Sequence, residues 1–247
     1  MRIQTLILFV CMSVFAHAQS DRSPNAQELA VIKKAQNVVE PFIDSFQNGD
    51  WQKQDGGSDE EQYLSVQKYP DVPMGVAPFN DWHFVVRPNS KYFDQTIKPM
   101  YDKLTTLSAT YTDDNVKQEV EIGKELKKLT DIYIEVFVDQ KNLPCKFQKG
   151  STGDLNIPGT AYAYKEIDPN KTIGTQIDGI NSYVLAFGDW NNSVADKNLG
   201  VYQFKFQHPK GSPYIENIVI RISGNDERIH ELLTTLDWNK INDALTK

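Results

Sequence analysis

Apolar side chains recur at spacings of three and four over residues 26–47, where Leu29, Ile32, Ala35, Val39, Phe42 and Phe46 fall on one stripe. That period matches an α-helix with one buried face. Ser23-Pro24 before it and Gly49 after it supply start and stop signals. Pro41 lacks an N–H, which predicts a kink or break near Val39. A second stripe runs through 91–108 (Tyr92, Phe93, Ile97, Met100, Tyr101, Leu104, Leu107) and again contains a proline, Pro99. Over 113–129, Asp113 and Asp114 open a third helix and Lys124, Lys127 and Lys128 close it, charges that suit the helix dipole at both ends. Near the C-terminus Asn225 is placed to cap a helix carrying Ile229, Leu232, Leu233 and Leu236, and Asp237 a shorter one with Ile241 and Leu245.

Between these segments the period changes to two. Trp82, Phe84 and Val86 alternate over 82–87 until Pro88; Ile132, Ile134, Val136 and Val138 alternate with Tyr133, Glu135 and Phe137. Tyr162 and Tyr164, then Tyr183, Leu185 and Phe187, mark two further strands. Tyr202, Phe204 and Phe206 mark another, and Ile218, Ile220 and Ile222 the last. Alternation of this kind belongs to sheets with differently clothed faces, and no helix of crossover length separates the strands. The expected fold is therefore α+β: an antiparallel sheet of about five or six strands covered by N-terminal, central and C-terminal helices. Residues 48–62, with Asn48-Gly49, Gly56-Gly57 and the carboxylates of Asp50, Asp55, Asp59, Glu60 and Glu61, are expected to form a solvated loop.

The first eighteen residues alter this picture by adding a compartment. Arg2 precedes an apolar run from Leu6 to Phe15, and Ala16-His17-Ala18 forms a small-residue cleavage pattern before Gln19. Those are the three parts of a secretory signal, and the run is too short to cross a bilayer. The expected organisation is a signal peptide over 1–18 and one α+β domain over 19–247. That domain is helix-rich to 129, strand-rich over 130–223, and helical again over 225–246. The expected location is secreted or periplasmic.

Charge removes several partners. The chain carries 26 Lys and Arg against 33 Asp and Glu, a net −7 that becomes −8 once Arg2 is lost with the leader. An acidic surface without a basic cluster disfavours nucleic acid and polybasic membrane contact. No later apolar stretch has the length of a membrane span. Cys11 lies inside the leader, so Cys145 alone remains in the mature chain and no intramolecular disulfide is expected.

Candidate chemistry is sparse. His230-Glu231 begins like the H-E-x-x-H zinc motif, but Thr234 stands where the second histidine belongs. Ser65-Val66-Gln67-Lys68 matches S-x-x-K without its S-D-N and K-T-G companions. Cys145 follows Pro144 with no helix N-terminus to lower its pKa. Neither the segment starting at Asp50 nor that starting at Asp189 fits an EF-hand loop. No cofactor or metal is expected.

One pattern remains. All four tryptophans follow aspartate: Asp50-Trp51, Asp81-Trp82, Asp189-Trp190 and Asp237-Trp238. The plain account is that aspartate ends or caps elements while the indole covers the core edge. The functional account is an indole platform beside a carboxylate, suited to small polar ligands. On that account a binding site gathers Trp82 or His83 with Asp189 and Trp190; Trp82 and His83 alternate, so only one of them can line a given pocket. The expected function is non-catalytic binding of a small polar ligand or protein partner outside the cytosol. A secreted hydrolase acting on glycans through a carboxylate pair is the alternative. An envelope or docking module using the acidic loop at 48–62 is the third.

Overall fold

The computed structural model describes residues 22–47, 49–54, 65–67, 70–76, 78–144, 155–166, 181–190, 193–196 and 201–246. The predicted signal peptide, Lys68, Cys145 and most of the acidic loop lie outside them.

Helix α1 (Ala26–Asp44) begins at Asn25, not at Ser23-Pro24. The Asn25 side chain accepts the N–H groups of Gln27 and Glu28, and the Glu28 carboxylate accepts the Asn25 N–H in return. This reciprocal pair satisfies the otherwise orphaned donors of a helix start. The helix runs without a break through Pro41 to Asp44, so the expected break near Val39 does not occur. Pro41 sits in the last turn, where few residues beyond it depend on continuing the ladder.

Six antiparallel strands form the main sheet: β1 (Trp51–Lys53), β2 (Trp82–Val86), β3 (Asp131–Val138), β5 (Tyr162–Lys165), β6 (Asn181–Gly188) and β9 (Asn217–Gly224), in the order β1-β2-β3-β9-β6-β5. β1 is a short edge strand inside the segment expected to be a loop, and its Trp51 is fully buried. A single buried indole among polar residues is too short a pattern to show period two. The registers Ile134↔Ile222, Val136↔Ile220 and Ile220↔Leu185 stack the branched residues into cross-strand rows on one face. Ile32, Ala35, Val39 and Ile43 of α1 cover that face. So do Ile229, Leu232 and Leu233 of the C-terminal helix Asp226–Thr235, together with Trp238 and Ile241 of the 3-10 helix Trp238–Ala244. Asn225 caps the first of these through Glu227 N–H as expected, whereas Asp237 makes no side-chain cap to the second.

The central helices are α2 (Lys98–Ser108), entered through a π-helical turn Phe93–Ile97, and α3 (Asp113–Thr130). Pro99 stands at the start of α2, where its missing N–H costs little, so the wide π turn absorbs the break that proline imposes. Ile97 and Leu126 alone of this hairpin are fully buried in the core.

On the opposite face, a second sheet of β4 (Asn142–Pro144), β7 (Val194–Asp196) and β8 (Val201–Gln203) covers one end. Leu143, Tyr164, Val184, Ala186, Trp190, Phe204 and Val219 form a separate small core there. The strand expected through Phe206 stops at Gln203, because Phe204 turns inward onto Trp190 with ring centroids 4.8 Å apart. Among the described residues no helix is long and apolar enough to cross a membrane.

Candidate functional site

The structure scatters the four residues expected to form a site. Trp82 is buried in the main core, its indole N–H donating to Asp44 Oδ1 at 3.0 Å. His83 lies on the other sheet face, since successive strand residues alternate. Its Nε2 is 2.5 Å from Asp131 Oδ1, and its ring stacks on Tyr133 with centroids 4.2 Å apart. The Thr130 hydroxyl also donates to Asp131. Trp190 is 0 % exposed and donates its N–H to the Phe187 carbonyl at 3.1 Å, so it offers no face to a ligand. Asp189, its neighbour in sequence, does line a cleft.

The other two tryptophans behave alike. Trp51 donates to Glu231 Oε2 and Trp238 to the Leu233 carbonyl, and both are buried. Every indole N–H is thus satisfied internally and no indole platform is left, although Asp237 makes none of the capping bonds that the plain account expects of it.

The cleft at Asp189 encloses about 420 Å³ where the end of β6 meets the start of β9. That lies within the range of small-molecule sites, about 300–1,000 Å³. Its walls carry Asp189, Gln207, His208, Glu216, Asn242 and Thr246. Three local features build it. Gly188 has φ +105°, and a Cβ there would meet the Glu216 carbonyl oxygen at 2.4 Å, so only glycine lets the two strands turn apart this closely. Glu216 folds the 207–216 loop back on itself. Its Oε2 accepts Gln207 N–H at 2.7 Å, and its Oε1 accepts His208 N–H at 2.7 Å and His208 Nδ1–H at 3.1 Å. The C-terminal segment closes the far side, with Thr246 N–H donating to the Ile215 carbonyl and Ile215 N–H to Thr246 Oγ1.

His208 is the group of chemical interest. Tyr214 stacks on one face of the ring at 3.6 Å, and Glu216 fixes the proton on Nδ1. In the neutral ring Nε2 then carries the lone pair, and no described hydrogen bond occupies it. Glu216 is 7 % exposed through its side chain and carries the orienting role.

A second cleft of about 470 Å³ lies between residues 65–76 and the end of β3, with Asp139 in its wall. Asp139 adopts a left-handed backbone (φ +48°), a region that short polar side chains tolerate. Burial pushes its carboxyl up to about 6, against the opposing pull of three backbone N–H groups. Those donors, from Met74, Glu216 and Asn217, occupy both oxygens. The carboxylate is a clasp between the 70s loop and β9, not a free acid. Ser65 lines this cleft from an irregular segment, not from the helix start that S-x-x-K chemistry requires.

Sequence reasoning missed His208, Glu216 and Asn242. The one available signal was the scarcity of histidine, four in the chain. Groups of three or more metal-ligating side chains are absent among the described residues. Comparison with protein-family models, curated proteins and solved structures finds no match.

Proposed function

We propose that this chain is an exported, non-catalytic binding protein that seats a small polar ligand in the cleft walled by Asp189, His208 and Asn242. One observation carries the reading: a preformed cleft of ligand size in which an imidazole of fixed tautomer and a carboxylate share the walls. The leader-like first eighteen residues support export. With Nδ1–H given to Glu216, the neutral form of the His208 ring has Nε2 as its acceptor, on a wall shared with the Asp189 carboxylate. Such walls favour a ligand rich in donors, an ammonium group or neighbouring hydroxyls.

Glycan hydrolysis would need a protonated carboxylic acid facing a second carboxylate across the bond. Asp139, the carboxyl pushed up to about 6, has both oxygens held by backbone donors. Glu216 spends both of its oxygens on the 207–208 backbone and on His208. The geometry therefore favours binding over this chemistry.

The test is a thermal-shift screen of monosaccharides, amino sugars and amino acids. A ligand at a hundred times its Kd stabilises by about 2.7 kcal/mol. Stabilisation that disappears in His208→Ala is expected; stabilisation that survives both His208→Ala and Asp189→Asn places the site elsewhere.

A further inference from the structure

The α2–α3 hairpin packs one side on the main core through Ile97, Ile122, Leu126 and Leu129, and its outer surface is unlike the rest of the molecule. Four large apolar side chains are conspicuously exposed among the described residues, and three belong to this hairpin: Tyr101 (47 %), Tyr111 (87 %) and Val120 (50 %). Within α3, Ile122, Leu126 and Leu129 pack toward the core, while Val116, Val120, Gly123 and Lys127 fall on a flank beside them at spacings of four, three and four. That is the seam spacing of a helix that packs against another helix.

Gly123 is the anomaly in this seam. A glycine inside a helix costs about 1 kcal/mol relative to alanine. Nothing lies within 4 Å of the position its Cβ would take, so no contact inside the monomer requires its smallness. An empty position beside a half-exposed valine forms a socket and a knob.

The charge along α3 selects the occupant. Its first half carries Asp113, Asp114, Glu119 and Glu121 against Lys117; its second half carries Lys124, Lys127 and Lys128 against Glu125. The pairs Lys117–Asp114, Lys124–Glu121 and Lys128–Glu125 form within the helix, and the net balance stays acidic in front and basic behind. A helix with an acidic front and a basic rear complements a copy of itself running in the opposite direction. In an antiparallel pair centred between Glu121 and Ile122, Val120 of each copy falls opposite Gly123 of the other. Val116 falls opposite Lys127, whose methylene stem can cover it.

We propose that the protein self-associates through α3, two copies packing antiparallel about a two-fold axis with Val120 of each seated over Gly123 of its partner. A two-fold contact of this kind is isologous, so one patch serves both sides and the assembly closes at two. Parallel packing would set acidic half against acidic half. A lipid surface is a poorer occupant, since Asp113 and Asp114 flank the exposed tip at Tyr111.

Sedimentation velocity of the purified protein over a range of concentrations tests this. The protein should show a monomer–dimer equilibrium, and Val120→Glu should raise the dimer dissociation constant at least about tenfold. Gly123→Leu, which fills the socket while favouring the helix, should weaken the dimer as well. In a background with the native cysteines replaced by serine, the Val120→Cys/Gly123→Cys variant should give a disulfide-linked dimer on a non-reducing gel. A monomer at every concentration would overturn the proposal. So would a dimer whose dissociation constant is unmoved by both substitutions, or a monomer that instead sediments with phosphatidylcholine vesicles. None of these readouts depends on ligand binding at His208.

Discussion

The indole N–H of Trp82 donates to Asp44 Oδ1 at 3.0 Å, and the same oxygen accepts Lys53 Nζ at 2.9 Å. One carboxylate at the end of α1 therefore ties together α1, β1 and β2, with the Lys53 ammonium 5.7 Å above the Trp82 ring. Removing an acceptor from a buried donor costs about 1–3 kcal/mol. Asp44→Ala should lower unfolding stability by that order, and Asp44→Asn, which keeps an oxygen at the site, by less. Urea denaturation of the two variants checks the difference.

Trp190 separates a packing role from a binding role. It is fully buried against Phe204 in the small core, so Trp190→Ala should lose about 3–5 kcal/mol. Trp190→Phe keeps most of the apolar volume and should lose less. A loss near zero for the alanine variant, measured by denaturant unfolding, would contradict the buried assignment.

Much of the fold was legible because burial and period coincide. The alternation in Ile132–Val138 and Ile218–Ile222 appears directly as one sheet face. It failed where an aromatic answered to tertiary contact: Phe204 looks like the middle of a strand, yet it bends inward to meet Trp190. The cleft was not legible for a different reason. His208 and Glu216 lie eight residues apart with no motif between them, and only the return of the loop brings Nδ1 and Oε1 to 3.1 Å. Asp189 was singled out only through its tryptophan neighbour, which is core, and it lines the cleft.

Asp139 gives a pH dependence of definite sign. Its folded value, about 6, lies above its ordinary value of 3.8, so between these the folded state binds the extra proton. Stability from this group is fully present below about pH 4 and is lost as pH rises through about 6. Compared with Asp139→Asn, the native protein should therefore gain stability on going from pH 7 to pH 5. Chemical denaturation at the two values reads this directly; a difference that moves the other way would refute the assignment.

Gly188 holds the cleft open by its shape. Gly188→Ala would set a methyl group against the Glu216 carbonyl and strain a backbone at φ +105°. A loss of more than about 1 kcal/mol is expected, because both the contact and the conformation oppose a side chain. The same variant should also weaken any ligand that depends on His208, since Glu216 positions that ring.

The most direct test of the cleft is the imidazole nitrogen NMR spectrum of the protein, titrated with monosaccharides, amino sugars and amino acids. His208 and His83 serve as opposed reporters, one in the cleft beside Glu216 and the other on the sheet face beside Asp131. Binding in the cleft should move the His208 Nε2 resonance, leave His83 in place, and vanish in Asp189→Asn. Movement of His83 alone, or of neither ring across the whole panel, would contradict the assignment of the cleft as the binding site.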